Sequence, residues 1–571
     1  MKPEISIGAQ SFEDIRDQKA FYIDKTNFIR EWWEELDVVT LITRPRRFGK
    51  TLNMKMMECF FSKSYAGRDE LFEGLSIWKE RSYHELQGTW PVIFLSFADI
   101  KGATFEIAKG SMVESLIDLY KKHSYLTEGN VLTEEEKRDY YTLGQYVGRD
   151  KNVKKEISED TIAWALKRLM SYMVRWHGKK VIVLLDEYDT PLQEAYVYGY
   201  WDQFASLIRG MFNSTFKTND YLYRGLLTGI TRVSKESIFS DLNNLEVITT
   251  TSEKYNTSFG FTEEEVIASL VQFSLKNKLD EVRCWYDGFR YGSRAGIYNP
   301  WSITKYLDAG KFDTYWANTS SNSLIGKLIM ESGSEVKVAV EDLLEGRSIE
   351  TIIDEEIVFE RLEDNDEAIW SLLLASGYLK VESVSEVDGI SDMVYRLSLT
   401  NLEVRKEFRK VIRNWFQKSS VRYNDFVKAL MANQVGYMNQ YMNKMASSVF
   451  SYFDTGKHPS EQTEPERFYH GFVLGLIADA RLDYIITSNR ESGLGRYDVI
   501  MEPKKESDFA YVFEFKVREP ASEENLEETV QNALKQIEGK GYDAVLLDRG
   551  IPQERIRHYG FAFDGKKVLI G

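Results

Sequence analysis

The chain is poor in cysteine and has no long apolar segment, and each absence excludes a class of protein. Its 571 residues include two cysteines, Cys59 and Cys284. They lack the spacing of metal ligands, so we expect buried thiols in a reducing compartment. No window of about 18 apolar residues occurs, which excludes a membrane-spanning helix. Residues 1–6 show no apolar signal region, and we therefore predict a cytoplasmic protein without a membrane partner.

Positive charge is also scarce. The sequence carries 73 Lys and Arg against 89 Asp and Glu, which gives a net charge of −16. Because a field of that sign repels phosphate, a nucleic-acid partner would need a local basic patch. The chain is 43% hydrophobic and contains 33 Tyr and 32 Phe, a composition typical of folded proteins with large cores. Its length predicts roughly two to four domains.

A phosphate-binding motif follows the first apolar segment. Residues 38–42 predict a buried strand, residues 44–51 read Arg-Pro-Arg-Arg-Phe-Gly-Lys-Thr, and residues 52–61 predict a helix. This order of strand, loop and helix is typical of a P-loop, in which the amide groups at the helix N-terminus bind phosphates. We expect Lys50 to reach the β- and γ-phosphates and Thr51 to hold Mg²⁺ through its hydroxyl group.

The loop itself contributes a glycine and three arginines. Gly49 stands at the second glycine of the motif G-x-x-x-x-G-K-[ST], whereas Arg44 replaces the first. We expect Arg44 to lie beside Arg46 and Arg47 near the bound phosphates. An ordinary loop before a helix would also explain Gly-Lys-Thr, so the nucleotide prediction depends on a second motif.

The second motif is a pair of carboxylates at the end of another apolar strand. Residues 181–185 are all apolar, as in a buried parallel strand, and Asp186 and Glu187 follow. We expect Asp186 to bind Mg²⁺ and Glu187 to polarise the attacking water, with Asp189 as the alternative to Glu187. Together the two motifs predict nucleotide binding.

Further strands are predicted at residues 21–26, 91–97 and 222–231. Strands that alternate with helices predict an α/β fold, a parallel sheet with helices on both faces and ligands at the carboxyl ends of the strands. Arg232 follows one such strand end, and it is either a γ-phosphate sensor or a surface arginine.

From about residue 261 the pattern changes to helices with short strands. Residues 285–290 and 298–302 are aromatic turns. Exposed, their rings would stack on bases. Buried, they would pin a helical lid to the ATPase sheet, which is the more usual role of aromatic side chains. Residues 401–455 predict a helical connector.

The last segment combines acidic residues with a lysine and a glutamine. A helix starting near residue 463 carries Glu466, and a glycine-rich turn leads into a strand starting near Asp498. Residues 510–517 predict a strand in which Glu514 and Lys516 share one face. The helix after it contains Gln536, and residues 544–548 predict a final strand.

These residue types suit metal-assisted cleavage of a phosphodiester. Asp498 and Glu514, on adjacent strands, are expected to hold one Mg²⁺, with Glu466 contributing to its hydration. Lys516 would position a water molecule or neutralise developing charge, and Gln536 would help to hold the water. The alternation of polar and apolar residues in residues 510–517 by itself also fits an edge strand with one solvent-exposed face.

Glu466, Asp498, Glu514-Phe515-Lys516 and Gln536 resemble the PD-(D/E)xK nuclease pattern, although Tyr497 stands where the proline of that pattern would lie. The whole chain resembles the bacterial fusion of an AAA-ATPase-like domain to a C-terminal PD-(D/E)xK domain. The resemblance is carried by residues 44–51, 285–288, 315–320 and 374–379.

The resemblance implies a P-loop ATPase domain at residues 1–260, a helical lid at 261–400, a helical connector at 401–455 and a nuclease-like α/β domain at 456–571. It implies ATP and Mg²⁺ as cofactors, a DNA or RNA substrate for the last domain, and it leaves a homo-oligomer open. We predict an ATP-regulated, Mg²⁺-dependent nuclease. The alternatives are a nucleotide-switched protein that binds nucleic acid or a partner without cutting, and an ATPase motor anchored by a nuclease-like domain.

Overall fold

The computed structural model of the protein describes most of the chain, which folds as two compact units. The first comprises Met1–Leu324 and Glu350–Arg405, and the second comprises Ile325–Ile349 and Lys406–Gly571. The described residues are 3–144, 157–232, 238–239, 242–316, 328–329, 334–353, 366–386, 393–417, 424–449, 473–474, 476–477, 480, 483–492, 495–520, 522–564 and 567–571.

A five-stranded parallel sheet lies at the centre of the first unit. Its strands are β1 (Val39–Thr43), β2 (Val92–Ser96), β3 (Val181–Asp186), β4 (Leu222–Gly229) and β5 (Leu245–Ile248), in the order β2-β3-β4-β1-β5. Every neighbouring pair is parallel. β1 and β3 are buried along their whole length, which explains their continuous apolar sequences. The predicted α/β fold is confirmed.

Helices cover both faces of this sheet. They are α1 (Phe12–Asp17), α2 (Asn27–Glu34), α3 (Lys50–Phe61), α4 (Arg81–His84), α5 (Phe105–Lys122), α6 (Glu134–Gly144), α7 (Glu159–His177), α8 (Thr190–Tyr198) and α9 (Trp201–Phe216). Met54 and Met57 of α3 pack in one core with Ile182 and Leu184 of β3. On the other face, Phe216 of α9 lies against Gly225, where a Cβ atom would come within 2.9 Å of the ring.

A smaller α/β region follows within the first unit. It contains β6 (Phe261–Thr262), α10 (Glu263–Gln272), α11 (Leu279–Tyr286), β7 (Phe289–Tyr291), β8 (Arg294–Tyr298) and α12 (Pro300–Ala309), with the strands in the order β6-β8-β7. Tyr286 and Tyr298 are fully buried in its core, and Trp285 stacks on Phe312. Most aromatic residues of these turns are therefore buried in a core of this region, whereas Trp301 is half-buried; that they pin a lid to the ATPase sheet stays a prediction.

The elements between residues 334 and 449 are mainly helical. They are α13 (Ser334–Glu345), β9 (Ile349–Ile352), α14 (Asp366–Ala375), β10 (Leu379–Glu386), β11 (Met393–Leu399), α15 (Leu402–Gln417), α16 (Asn424–Met431) and α17 (Val435–Val449). The three strands form a sheet in the order β10-β11-β9.

A second five-stranded sheet organises the end of the chain. β12 (Tyr484–Ser492), β13 (Gly495–Pro503), β14 (Ala510–Val517), β15 (Ile556–Asp564) and β16 (Lys567–Ile570) lie in that order, and only β14 and β15 are parallel. α18 (Leu526–Lys540) packs on one face through Ile537, and α16 and α17 pack on the other.

Three predictions about local structure are wrong. Residues 21–25 form no strand: Phe21 donates its amide hydrogen to Glu4 O (2.8 Å), and Thr26 is the N-cap of α2. Residues 544–547 form a short helix, α19 (Ala544–Leu547), because β15 takes the place beside β14 that a strand there would need. Cys59 is buried as expected, whereas Cys284 is exposed because it lies on α11 opposite the buried Val282 and Tyr286.

Within the ranges given above, none of the helices combines the length and the apolar character that a membrane crossing requires.

Candidate nucleotide-binding and metal-binding sites

The phosphate loop connects β1 to α3 and has an unusual backbone. Gly49 caps α3 with a φ of 80°, a left-handed conformation that glycine adopts without strain. Arg47 also has a positive φ, of 65°, which is uncommon for a residue with a side chain. The carbonyl group of Arg46 accepts hydrogen bonds from Trp316 Nε1 (2.9 Å) and Asn299 Nδ2 (3.3 Å). These two contacts help to fix the course of the loop.

Lys50 is buried at the start of α3. Its Nζ donates to the carbonyl oxygens of Arg44 and Pro45, both at 2.9 Å. Burial lowers the pKa of Lys50, against the opposing influence of the nearby Glu187, Asp189 and Asp186 carboxylates. A phosphate group would offer this ammonium a charged acceptor in place of two neutral carbonyls, which strengthens the hydrogen bonds it makes.

Thr51 and Asp186 meet, as the two motifs predicted for a shared magnesium site. Thr51 Oγ1 donates to Asp186 Oδ2 at 2.7 Å, and Thr228 Oγ1 of β4 donates to Asp186 Oδ1 at 2.5 Å. Burial raises the pKa of Asp186 even though both hydroxyl groups stabilise its charged form. A hydroxyl and a carboxylate in contact form an oxygen donor set that suits Mg²⁺.

The residues after Asp186 have different environments. Glu187 has a φ of 53°, accepts a hydrogen bond from Thr190 Oγ1 (3.1 Å) and lines the same cavity as Lys50. Asp189, the alternative catalytic carboxylate, is fully buried, and its Oδ2 accepts from Thr231 N (2.9 Å) and Thr231 Oγ1 (2.8 Å). Of the two, only Glu187 lines the cavity.

The cavity has a volume of about 410 Å³, within the range of small-molecule sites. Its lining includes five of the six predicted loop residues, all except Arg44, and the predicted catalytic carboxylate; they are Arg46, Arg47, Gly49, Lys50, Thr51 and Glu187. Sequence analysis missed Lys25 and Trp301, which also line it. The guanidinium of Arg47 lies 4.3 Å from the centre of the Trp301 ring. Arg232 is not part of this lining in the described structure.

Arg44 does not face the cavity, so the expectation of a third phosphate-facing arginine is wrong. Its guanidinium is fully buried and donates to the carbonyl oxygens of Thr43 (2.8 Å) and Thr249 (2.7 Å). It also lies 4.2 Å from the centre of the Tyr291 ring. Burial lowers the pKa of Arg44 to about 10. The side chain points behind the loop because the backbone carbonyls there need a donor.

The second candidate site lies between β13 and β14. The paired register of these strands ends at Val499 and Phe513, and just beyond it Asp498 Oδ2 accepts the amide hydrogen of Phe515 at 2.8 Å. Asp498 lies inside β13, three residues after the strand begins, rather than at its start. Because Glu514 is the residue between Phe513 and Phe515, this hydrogen bond brings the two predicted carboxylates to the same end of the strand pair.

Gln536 of α18 contacts Glu514. Its Nε2 donates to Glu514 Oε1 and to the hydroxyl group of Tyr542 (3.2 Å). Glu514 is buried, and Tyr542 is almost fully buried. Burial raises the pKa of Tyr542, and the charges of Glu514 and Asp498 act in the same direction. Tyr542 thus belongs to this cluster, although no sequence motif indicated it.

The donor set of this second site fits a magnesium ion that keeps part of its water shell. Asp498 and Glu514 supply carboxylate oxygens, which Mg²⁺ prefers. Lys516 is half-buried, two residues beyond Glu514 on the same strand. Glu466 lies outside the described residues. Among those that are described, no group of three or more His, Cys, Asp or Glu side chains is arranged to hold a metal ion.

Comparison with known proteins gives a different family match for each of two regions of the chain. Residues 6–239 match the family model AAA-ATPase-like, described as "Predicted AAA-ATPase", and residues 464–571 match the PD-(D/E)XK nuclease superfamily. The chain joins an AAA-ATPase-like domain to a PD-(D/E)XK nuclease domain. The first match contains both nucleotide motifs, and the second contains Asp498, Glu514, Lys516 and Gln536.

One relative matches this chain over nearly its whole length. It is described as "Uncharacterized protein in vnfD 5′region", from Azotobacter chroococcum mcd 1, and it is 26% identical over 567 residues, 96% of this chain and 95% of the relative. The chain is also similar to a solved structure of the Aeropyrum pernix ORC2 protein, in ADPNP–ADP complexes. The alignment covers 72% of this chain and 96% of the ORC2 chain, with 12% sequence identity and a TM-score of 0.23. That score is too low to support an argument.

Proposed function

We propose that the AAA-ATPase-like domain binds and hydrolyses ATP with Mg²⁺, and that its nucleotide state controls cleavage of nucleic-acid phosphodiester bonds by the PD-(D/E)XK domain. The observation that carries the nucleotide half is the contact of Thr51 with the buried Asp186, because Thr51 and Lys50 line a cavity of about 410 Å³. The observation that carries the nuclease half is the linked cluster of Asp498, Glu514 and Gln536.

In the first domain, each residue has a separate task. Lys50 binds the phosphates, and Thr51 and Asp186 hold Mg²⁺. Glu187 orients the water and accepts its proton, which its position in the cavity wall allows. Arg46 and Arg47 add positive charge around the phosphates, and Arg232 is proposed as a sensor of the terminal phosphate. Mg²⁺, when bound, supplies a Lewis acid for phosphate oxygens at both sites.

In the second domain, Asp498 and Glu514, together with Glu466, are proposed to hold the metal. Lys516 neutralises the charge that develops on the phosphodiester, and Gln536 holds Glu514 in position. We propose DNA or RNA as the partner of this domain. The domain boundaries at residues 260, 400 and 455, a cytoplasmic location and a homo-oligomer stay predictions.

One experiment tests the proposal as a whole. The full-length protein is incubated with labelled single- and double-stranded DNA and RNA, with Mg²⁺ or Mn²⁺, and with ATP, ADP or no nucleotide. We expect cleavage of at least one substrate, at a rate that depends on the nucleotide and on Asp498. Metal-dependent cleavage that ignores the nucleotide would refute ATP control while leaving the nuclease assignment intact.

The alternative is a nucleotide-switched binding protein whose C-terminal domain grips nucleic acid or another partner without cutting it. The net charge of −16 favours the form of this alternative in which the partner is not a nucleic acid, because the negative field opposes the approach of any polyanion. Nucleotide-dependent retention of nucleic acid, without cleavage under any metal condition, would support it.

A further inference from the structure

A series of polar side chains connects the phosphate loop to the end of β4 through helix α8. Gln193 of α8 lines the nucleotide cavity. Its Oε1 accepts from Arg46 Nη2 at 3.5 Å, and its Nε2 donates to Asp189 Oδ2 at 3.0 Å. The same oxygen of Asp189 accepts the amide hydrogens of Ile230 (3.0 Å) and Thr231 (2.9 Å). An arginine of the loop is thus linked to the backbone just before Arg232.

The chemistry of Asp189 fixes which end of the Gln193 amide faces the loop. An ionised carboxylate only accepts hydrogen bonds, whereas a glutamine amide has one donor end and one acceptor end. Because the donor end is held by Asp189, the carbonyl oxygen of Gln193 faces Arg46. A guanidinium group only donates, so this orientation of the amide is the one that suits Arg46.

Asp189 is itself a rigid support. It is fully buried, and Gly229 beside it leaves no space, since a Cβ atom there would lie 2.6 Å from the ring of Tyr188 and 2.8 Å from Asp189 Oδ1. The hydroxyl group of Tyr188 also donates to Thr231 O at 2.7 Å. The turn at residues 188–189 and the end of β4 therefore hold one another in place, and Gln193 is positioned against a fixed partner.

We infer that Gln193 is a specificity-determining residue for the nucleotide, because it holds Arg46 in the orientation that contacts the terminal phosphate and so favours ATP over ADP. The inference rests on the proposed nucleotide binding. The contact of Arg46 with a neutral amide oxygen at 3.5 Å is long, and a phosphate oxygen is a stronger acceptor for a guanidinium group. Gln193 thus orients Arg46 without competing strongly for it.

The test compares Gln193→Leu with Gln203→Leu in the full-length protein. Gln203 is exposed on α9, so its replacement makes the same chemical change away from the cavity. Affinities for ATP and for ADP are measured separately, by competition with a fluorescent ATP analogue. We expect Gln193→Leu to weaken ATP binding about tenfold and ADP binding by less than about twofold, the scale of one charge-assisted contact. Gln203→Leu should match the wild type.

Arg46→Ala gives an independent measurement, also if Gln193→Leu does not fold. It should show a selective loss of ATP affinity that is at least as large, because the guanidinium group itself is removed, and the double variant should lose no more than Arg46→Ala alone, because the two residues act as a unit. Equal weakening of ATP and ADP would show a merely structural role and would overturn the inference, as would unchanged selectivity or additive losses. A wild-type protein that binds no nucleotide would instead refute the proposed function.

Discussion

Replacing Arg44 with glycine, the residue that the P-loop motif places there, should destabilise the protein. The variant restores the motif, and sequence alone would predict an unchanged or improved loop. The structure predicts the opposite, because the guanidinium of Arg44 is fully buried and satisfies backbone carbonyls of Thr43 and Thr249. At this position the hydrogen-bond donors of arginine stabilise the loop more than the conformational freedom of glycine would.

The size of the effect follows from these contacts. Losing the two hydrogen bonds that the charged Arg44 donates to buried carbonyl groups costs about 4 kcal/mol in all, since Thr249 O keeps only the longer hydrogen bond from Ser252 N (3.4 Å). Loss of the desolvated contact with Tyr291 costs about 2 kcal/mol, and the greater freedom of glycine in the unfolded chain about 1 kcal/mol. Removing a buried charge offsets part of this: the fall in the pKa of Arg44 from 12.5 to about 10 corresponds to about 3 kcal/mol. The net destabilisation expected is about 4 kcal/mol.

Tryptophan fluorescence during urea unfolding measures this change, because it reports mainly on the unit that contains Arg44. Of the 12 tryptophans, only Trp415 lies in the second unit, so 11 report on the unit that contains Arg44. With an m-value of about 3 to 4 kcal/mol per M for a unit of this size, the midpoint of unfolding should fall by about 1 M.

Arg47→Gly is the matched control, because it makes the same replacement three residues along the same loop. Arg47 is exposed, so its contact with Trp301 contributes only about 0.5–1 kcal/mol, and glycine relieves a left-handed backbone worth about 1 kcal/mol. We expect its midpoint to stay close to that of the wild type. If Arg44→Gly unfolds at the same urea concentration as Arg47→Gly, Arg44 has no structural role and the reasoning fails.

Three further predictions concern the two sites. Lys50→Met should weaken ATP binding at least about 100-fold in a fluorescence titration, since the phosphates lose their buried cation, whereas Lys121→Met on the surface of α5 should have no effect. Glu187→Gln should bind ATP normally and lose turnover by at least about 100-fold in a phosphate-release assay, because an amide does not accept the proton of water; wild-type turnover would exclude Glu187 as the base. Asp498→Ala should lose both Mn²⁺ binding by calorimetry and cleavage of labelled nucleic acid, whereas Lys516→Ala should lose cleavage alone; metal loss in both variants would contradict these roles.

The arrangement of the nucleotide site was predictable because it depends on local order. A strand that ends in a phosphate loop, and another that ends in two carboxylates, place their ends at one edge of a parallel sheet. The structure accordingly brings Thr51 to 2.7 Å from Asp186. The alternation of residues in β14 predicted only that Glu514 and Lys516 share a face; in the structure Gln536 of α18 reaches Glu514 on its face of the sheet.

The direction of single side chains was not predictable from the motifs. Arg44 turns away from the phosphate site because of Thr249 and Tyr291, which lie 205 and 247 residues later in the chain and have no fixed spacing from it. Tyr542 joins the second site because it follows the end of α18 and lies against Gln536 of that helix. No residue pattern in the sequence indicates this contact. Residues 544–548 were misassigned because a short apolar run is compatible with both a strand and a buried helix.

The carbonyl group of Arg46 accepts hydrogen bonds from two residues outside the phosphate loop, so a movement of the loop can be detected at those residues. A rotation of the peptide plane between Arg46 and Arg47 would break the hydrogen bonds from Trp316 and from Asn299 together. Asn299 also accepts the amide hydrogens of Trp301 and Ser302 at the start of α12. The amides there should therefore exchange with deuterium in step with those of the loop, and the indole N–H resonance of Trp316 should report each rearrangement of that peptide plane as a single spectroscopic signal.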